Sequence, residues 1–229
     1  MRWIPFPDSQ LVVCGLPWAK HTEQRLRRLP DTAEGVVPAR VWELSQFPGG
    51  GRIRLATDST ELRIRYTGNR THPTRISSGL DVYLDGEYWN SVMTLAGTRV
   101  EQTFYSGAER ADHEVTIYLP LYQAIEVHAI GVDRQATIRA PGAFRHPLPL
   151  VLYGSSVAQG VGAGRPAMTY QAILSRSLHL DFINLGFGGA GKAEPEVVRL
   201  VSGIDGCCFL FDLGKSYGQQ DASAYLAML

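Results

Sequence analysis

Three short stretches of the chain combine residue types that suit nucleophilic chemistry with stabilisation of a developing anion. Tyr153-Gly154-Ser155-Ser156-Val157 continues a wholly apolar run, Leu150-Val151-Leu152-Tyr153. In open α/β sheets the carboxyl ends of the strands form the ligand crevice. A serine there exposes its hydroxyl, and nearby backbone amides can stabilise an oxyanion. The plainer alternative is that small residues simply make a turn. Asn184-Leu185-Gly186-Phe187-Gly188-Gly189-Ala190-Gly191-Lys192 follows a second apolar run. Its glycines let amides approach a ligand closely, and the helix expected after it adds a positive N-terminal end. Phe211-Asp212-Leu213-Gly214-Lys215-Ser216-Tyr217 follows a third run. Three successive strand ends thus deliver small, donor-rich residues to one edge of a sheet.

The same residues allow a rival. The stretch from Gly186 to Lys192 fits G-x-x-x-x-G-K, the phosphate-cradling P-loop, and the apolar run ending at Asp212 resembles one that holds magnesium. Position 193 is Ala, however, where a P-loop needs Ser or Thr to reach the metal. The Lys-to-Asp interval is short, and the Gly-Ser-Ser turn is left without a purpose. A degenerate nucleotide binder is the minor alternative.

The elements that must position these residues change character near residue 145. Before it, short segments at 40–44, 52–57, 61–66, 80–84, 88–94, 99–105, 114–119, 124–132 and 137–140 read as strands. Ile53 and Leu55, then Leu62, Ile64 and Tyr66, then Val115, Ile117 and Leu119 recur with a period of two, the mark of half-buried strands. Asp85-Gly86 between two such runs is the best hairpin signal. The expected fold class is a jelly-roll-like β-sandwich over 1–145, followed by a partial flavodoxin-like α/β domain over 146–229. In the second part continuous apolar strands at 150–153, 182–185 and 207–213 alternate with helices near 167–179 and 195–201. Three strands are few for an open sheet, so the second domain is expected to be incomplete and to self-associate through an unpaired sheet edge.

Composition removes other classes. The 229 residues carry 22 basic and 22 acidic groups, and 45% are hydrophobic. Zero net charge argues against a nucleic-acid surface, and the regular apolar segments argue against disorder. No apolar run has the roughly 18 to 20 residues that span a bilayer. Lys occurs only at Lys20, Lys192 and Lys215, so the basic count is nearly all Arg. The three cysteines include adjacent Cys207 and Cys208, whose side chains point to opposite faces of a strand and are poorly placed to bridge. There is no C-x-x-C and no His at metal-ligand spacing, so no metal or cofactor is expected. The start has no basic region before its apolar stretch, and a reduced, cytoplasmic protein is expected.

Residues 153–160, Arg165-Pro166, residues 170–176 and residues 184–197 together resemble the opening half of an SGNH (GDSL-like) hydrolase. Ser78-Gly79-Leu80-Asp81-Val82-Tyr83 resembles the GxDLY signature of the β-sandwich that precedes one subtype. That family comprises esterases and acyltransferases, including carbohydrate esterases, so the resemblance implies a small-molecule or carbohydrate ester as substrate. It assigns Ser156 as nucleophile, with Ser155 where many relatives have Asp. The oxyanion hole would combine the Ser156 amide, the Gly189 amide and the side chain of Ser216, where relatives usually carry Asn. Losing one such donor typically costs about 2.7–4 kcal/mol of transition-state stabilisation.

The general base that the resemblance demands is a His oriented by an Asp three residues before it. After Ser156 the only His is His179, and it closes a helix. His72, His113, His128 and His146 read as surface or strand residues. A neutral serine is a poor nucleophile without a base, so this chain is expected to be nearly inert toward esters. A second hypothesis therefore stands beside the first: a non-catalytic remnant whose sandwich binds carbohydrate or protein. Arg165 and Lys192 read as solvated or structural charges, with binding of an anionic acyl donor as the alternative. Asp81 either serves a turn or packs near the active-site edge. Trp3, Trp18, Trp42 and Trp89 read as core or inter-domain contacts.

Overall fold

The computed structural model describes residues 1–19, 24–69 and 79–213, together with Ser223. Its first part is built from β1 (Arg2–Pro5), β2 (Val12–Cys14), α1 (Ala39–Ser45), β3 (Arg52–Thr57), β4 (Glu61–Asn69), β5 (Gly79–Leu84), β6 (Glu87–Met93), β7 (Gly97–Ser106), β8 (His113–Tyr118), β9 (Ala124–Val132) and β10 (Ile138–Arg139). Two antiparallel sheets result. One runs β1-β9-β4-β7; the other runs β10-β3-β8-β5-β6, with β2 also paired to β3. The period-two residues explain the arrangement. Ile53 and Leu55 of β3 face Ile117 and Val115 of β8, and they share one buried core with Leu62, Ile64 and Tyr66 of β4. Asp85 and Gly86 both take positive φ, 51° and 85°, the two-residue turn that matches strand twist and joins β5 to β6.

The second part holds β11 (Leu150–Gly154), α2 (Ser156–Gln159), α3 (Tyr170–Leu178), β12 (Phe182–Gly186), α4 (Pro195–Ser202) and β13 (Cys208–Asp212). The three strands are parallel in the order β12-β11-β13, with Leu152 level with Asn184 on one side and Leu210 on the other.

Four expectations are corrected. Residues 40–44 are helical, because Val41, Leu44 and Ser45 fall on one buried face at spacings of three and one, and Pro38 fixes the entry. The helix expected over 167–179 is a 3-10 turn, Pro166–Met168, followed by α3. Thr169 caps α3 by accepting a hydrogen bond from the Ala172 N–H at 3.3 Å. Strand β13, expected to be buried, is exposed along Cys208–Phe211. Trp89 is half exposed and touches Tyr105 edge-on, although Trp18 and Trp42 do pack on a core. The sequence reading also passed over β1, β2 and the single turn α2.

The two parts interlock. Leu29, Val37, Val41, Leu44 and Phe47 join Val151, Tyr153, Leu185 and Val197 in one buried cluster, so α1 packs against the parallel sheet. Tyr83 and Tyr118 meet Leu152 and Phe182 in another. Asp81, fully buried in β5, accepts hydrogen bonds from Ser91 Oγ at 2.5 Å and from the Ala167 N–H at 2.8 Å. The carboxylate of the GxDLY-like stretch therefore ties the first part to the loop that opens α3. Ser78 lies outside the described residues.

Candidate active site

The chain leaves β11 at Gly154, passes Ser155, and turns at once into α2, with Ser156 as its first helical residue. Gly186 at the end of β12 makes this possible: a β-carbon there would stand 2.1 Å from the Gln159 N, so only glycine admits α2 so close. Ser156 is partly exposed, and no hydrogen bond among the described residues engages its hydroxyl. Its N–H belongs to the first turn of a helix, where amides have no intrahelical acceptor.

The glycine-rich segment after β12 wraps this turn. A β-carbon at Gly188 would lie 3.7 Å from that of Ser156. The Phe187 N–H donates to the Gly154 carbonyl at 2.9 Å, and the Gly188 N–H donates to Gln159 Oε1 at 2.6 Å. The Ala190 N–H returns to the Phe187 carbonyl at 2.9 Å. The Gly191 and Lys192 N–H groups donate to the two oxygens of Glu194 at 3.0 and 2.9 Å. From Phe187 to Lys192 every amide is thus engaged except that of Gly189, which has no partner among the described residues. Gly189 takes φ +79°, a conformation that glycine adopts without strain. A carboxylate already occupies the nest that a P-loop would reserve for phosphate.

Glu194 also accepts from the Tyr153 hydroxyl. Burial, and then that hydrogen bond to a carboxylate, hold the tyrosine well above its usual range and keep it a neutral donor. Gln159 is buried at the base of the turn, and Gln171 of α3 donates to the Ala158 carbonyl at 2.6 Å. These supports were missed in the sequence reading. The signal for Glu194 was present: a Glu-Pro pair marks a helix start, and it falls three residues after Gly191.

Of the residues expected at the site, Ser156 stands close to Gly188, the residue before Gly189, whereas Ser216 lies outside the described residues, as does His72, which was read as a surface or strand residue. The described histidines have partners elsewhere. His113 Nδ1 meets Asp85 at 2.6 Å, His128 Nε2 meets Thr67 at 2.8 Å, His146 accepts from the Leu148 N–H at 3.1 Å, and His179 Nε2 meets the Ala143 carbonyl at 3.2 Å. Among the described residues no helix is long and apolar enough to cross a membrane.

Comparison with known proteins fits this arrangement. A family profile described as the N-terminus of SGNH hydrolase-type esterases, GxDLY, matches residues 1–138; a second, the GDSL-like lipase/acylhydrolase family, matches residues 148–223. A protein from Bacteroides ovatus ATCC 8483 designated a GDSL-like lipase superposes with a TM-score of 0.80 at 30% identity, covering 92% of this chain and 64% of that one. The salicylyl-acyltransferase SsfX3 from a tetracycline biosynthetic pathway gives 0.80 at 22% identity, covering 95% and 63%. A family two carbohydrate esterase from Cellvibrio japonicus gives 0.67 at 13% identity, covering 99% and 72%. The chain thus spans less than two thirds of the length of the first two. No curated protein matches it. The chain belongs to the SGNH (GDSL-like) hydrolase family, in the branch that carries a GxDLY domain at its N-terminus.

Proposed function

We propose that this chain supplies the nucleophile and the oxyanion donors of a serine ester hydrolase or acyltransferase. In this reading Ser156 Oγ attacks the ester carbonyl. The amides of Ser156 and Gly189 then stabilise the oxyanion; the ester C–O bond breaks, the alcohol leaves with the proton that Ser156 Oγ gave up, and the acyl group stays on Ser156 until water or another acceptor takes it. The observation that carries the reading is the single unengaged amide of the glycine segment, at Gly189, one residue after the glycine that approaches Ser156, together with an unengaged serine hydroxyl. Ser216 would add a third donor. A small or carbohydrate ester is the proposed substrate, by analogy with the esterase and acyltransferase neighbours. We further propose the division at 145/146, with a β-sandwich before it and a flavodoxin-like sheet after it. The strand order β12-β11-β13 supports the latter, because it corresponds to the 2-1-3 start of that order.

The small residual hydrolysis of p-nitrophenyl acetate that a serine held without a described base would give, and labelling by a fluorophosphonate, test the assignment. Ser156→Ala is expected to bring both to the buffer background, with Ser155→Ala retaining them. Labelling that persists in Ser156→Ala and vanishes in Ser155→Ala would move the nucleophile by one residue. A second reading, a non-catalytic binding module, is favoured by one observation: no described histidine hydrogen-bonds Ser156. It predicts background turnover in the unmodified chain and no effect of either substitution.

A further inference from the structure

A cleft of about 890 Å³ lies between the sheet β3-β8-β5-β6 and helix α3, and neither Ser156 nor Gly189 lines it. Its volume falls within the range of small-molecule sites. Most charges on its walls are already matched. Arg52 pairs with Asp181, Arg54 with Glu114, and Asp85 with His113. Two cations are not. The Arg165 guanidinium lies over Tyr88, 3.8 Å from the ring centroid, and its side chain makes no hydrogen bond or ion pair among the described residues. Arg176 lies on Tyr83 at 4.4 Å. Its Nη1 donates to the Ala167 carbonyl at 2.9 Å and the Tyr118 hydroxyl at 3.3 Å, which leaves Nε and Nη2 without partners among the described residues. The Tyr83 and Tyr88 rings are neighbours, with centroids 5.7 Å apart. Glu87 is the one acidic lining residue without a partner among the described residues, and His179 on the wall is held by the Ala143 carbonyl.

A guanidinium stacked on an aromatic ring has its faces occupied and its N–H edge free, and that edge matches a planar carboxylate in bidentate fashion. Two such edges on adjacent rings suit spaced carboxylates better than one compact tetrahedral anion. Thr116 and Ser177 add hydroxyl groups to the wall, and the volume exceeds that of a lone anion. We propose that this cleft binds an oligosaccharide bearing carboxylates, of the uronate type, with Arg165 and Arg176 taking the carboxylates.

Titration calorimetry of the full chain at low salt tests the assignment, with tri-galacturonate, a neutral trisaccharide and inorganic phosphate as probes. Tri-galacturonate is expected to bind at least about tenfold more tightly than the neutral sugar, and added salt is expected to weaken it. Arg165→Gln removes a side chain with no hydrogen bond. It is expected to weaken binding by about tenfold while the thermal midpoint of the protein stays unchanged. Glu87→Gln is expected to tighten binding. Equal binding of the neutral sugar, phosphate binding as tight as that of tri-galacturonate, absence of saturation, or full affinity in Arg165→Gln would each overturn the proposal. Because Ser156 takes no part in the cleft, each of these outcomes leaves the acyl-transfer reading where it stood.

Discussion

The two outer strands of the parallel sheet end in opposite ways. On β12 the outward-facing backbone groups of Phe182, Asn184 and Gly186 meet side chains instead of another strand. Arg52 donates to the Phe182 carbonyl at 3.2 Å, and Arg28 donates to the carbonyls of Asn184 and Gly186. The Phe182 N–H finds Asp181 Oδ1 at 2.8 Å, and the Gly186 N–H finds Asn184 Oδ1 at 2.8 Å. Both guanidiniums also lie over phenylalanine rings, Arg52 on Phe182 and Arg28 on Phe187. On β13 no strand among the described residues pairs the outer side, and Phe209, Leu210 and Phe211 are 39%, 42% and 51% exposed. The difference teaches that an edge can be sealed without a strand. Two buried cations contributed by the first part of the chain do the work of a ladder, and they also clamp the segment that leads into the Gly189 loop.

The two cations are equally buried, and the largest expected effect comes from removing the one that no described carboxylate neutralises. Arg28 is 1% exposed and has no carboxylate partner among the described residues; burial pushes its guanidinium down to about 9, still charged at neutral pH. Besides β12 it holds the carbonyls of Phe47 at 2.9 Å and Leu44 at 2.8 Å. Arg28→Met keeps the apolar stem and orphans those acceptors, so a loss of about 4 kcal/mol in denaturant unfolding is expected. A loss under about 1 kcal/mol would mean that water replaces the guanidinium freely and that the edge is not sealed. Arg52→Met comes next. Its carboxylate partner, Asp181, is 22% exposed and can regain water, so a smaller loss of about 2 kcal/mol is expected by the same measurement. Equal losses for the two variants would contradict the ranking, which rests on the partly exposed carboxylate beside Arg52.

How far the sequence reveals this depends on the range of the interaction. Period-two segments such as Leu62, Ile64 and Tyr66 announce their strands because each residue's burial is dictated by its immediate neighbours. Asp85-Gly86 is legible for the same reason. The segment at 40–44 misleads because five residues scarcely separate a period of two from one of 3.6, and only the parallel sheet beneath Val41 and Leu44 decides for a helix. Ser156 and Gly189 are legible as strand-end residues. Gln159, Arg28 and Arg52 are not, because their partners stand far off in sequence or belong to the other part of the chain. A lone arginine in a sequence carries no sign that it will cap an edge more than a hundred positions away.

The open edge gives the smallest effect on stability and the sharpest contrast. An unpaired strand with exposed apolar side chains is a template for a second chain, and a lysine on it is how many proteins prevent that pairing. Leu210 is 42% exposed and level with Leu152 in the sheet, so a lysine there reaches water without displacing a buried group. Leu210→Lys is expected to change unfolding stability by no more than about 0.5 kcal/mol. In sedimentation velocity the unmodified chain is expected to associate as its concentration rises, and the variant to sediment as a monomer. If both sediment alike, the exposed face of β13 does not drive association; if the lysine costs as much as Arg52→Met, the two edges are equally built into the fold and the contrast between them fails.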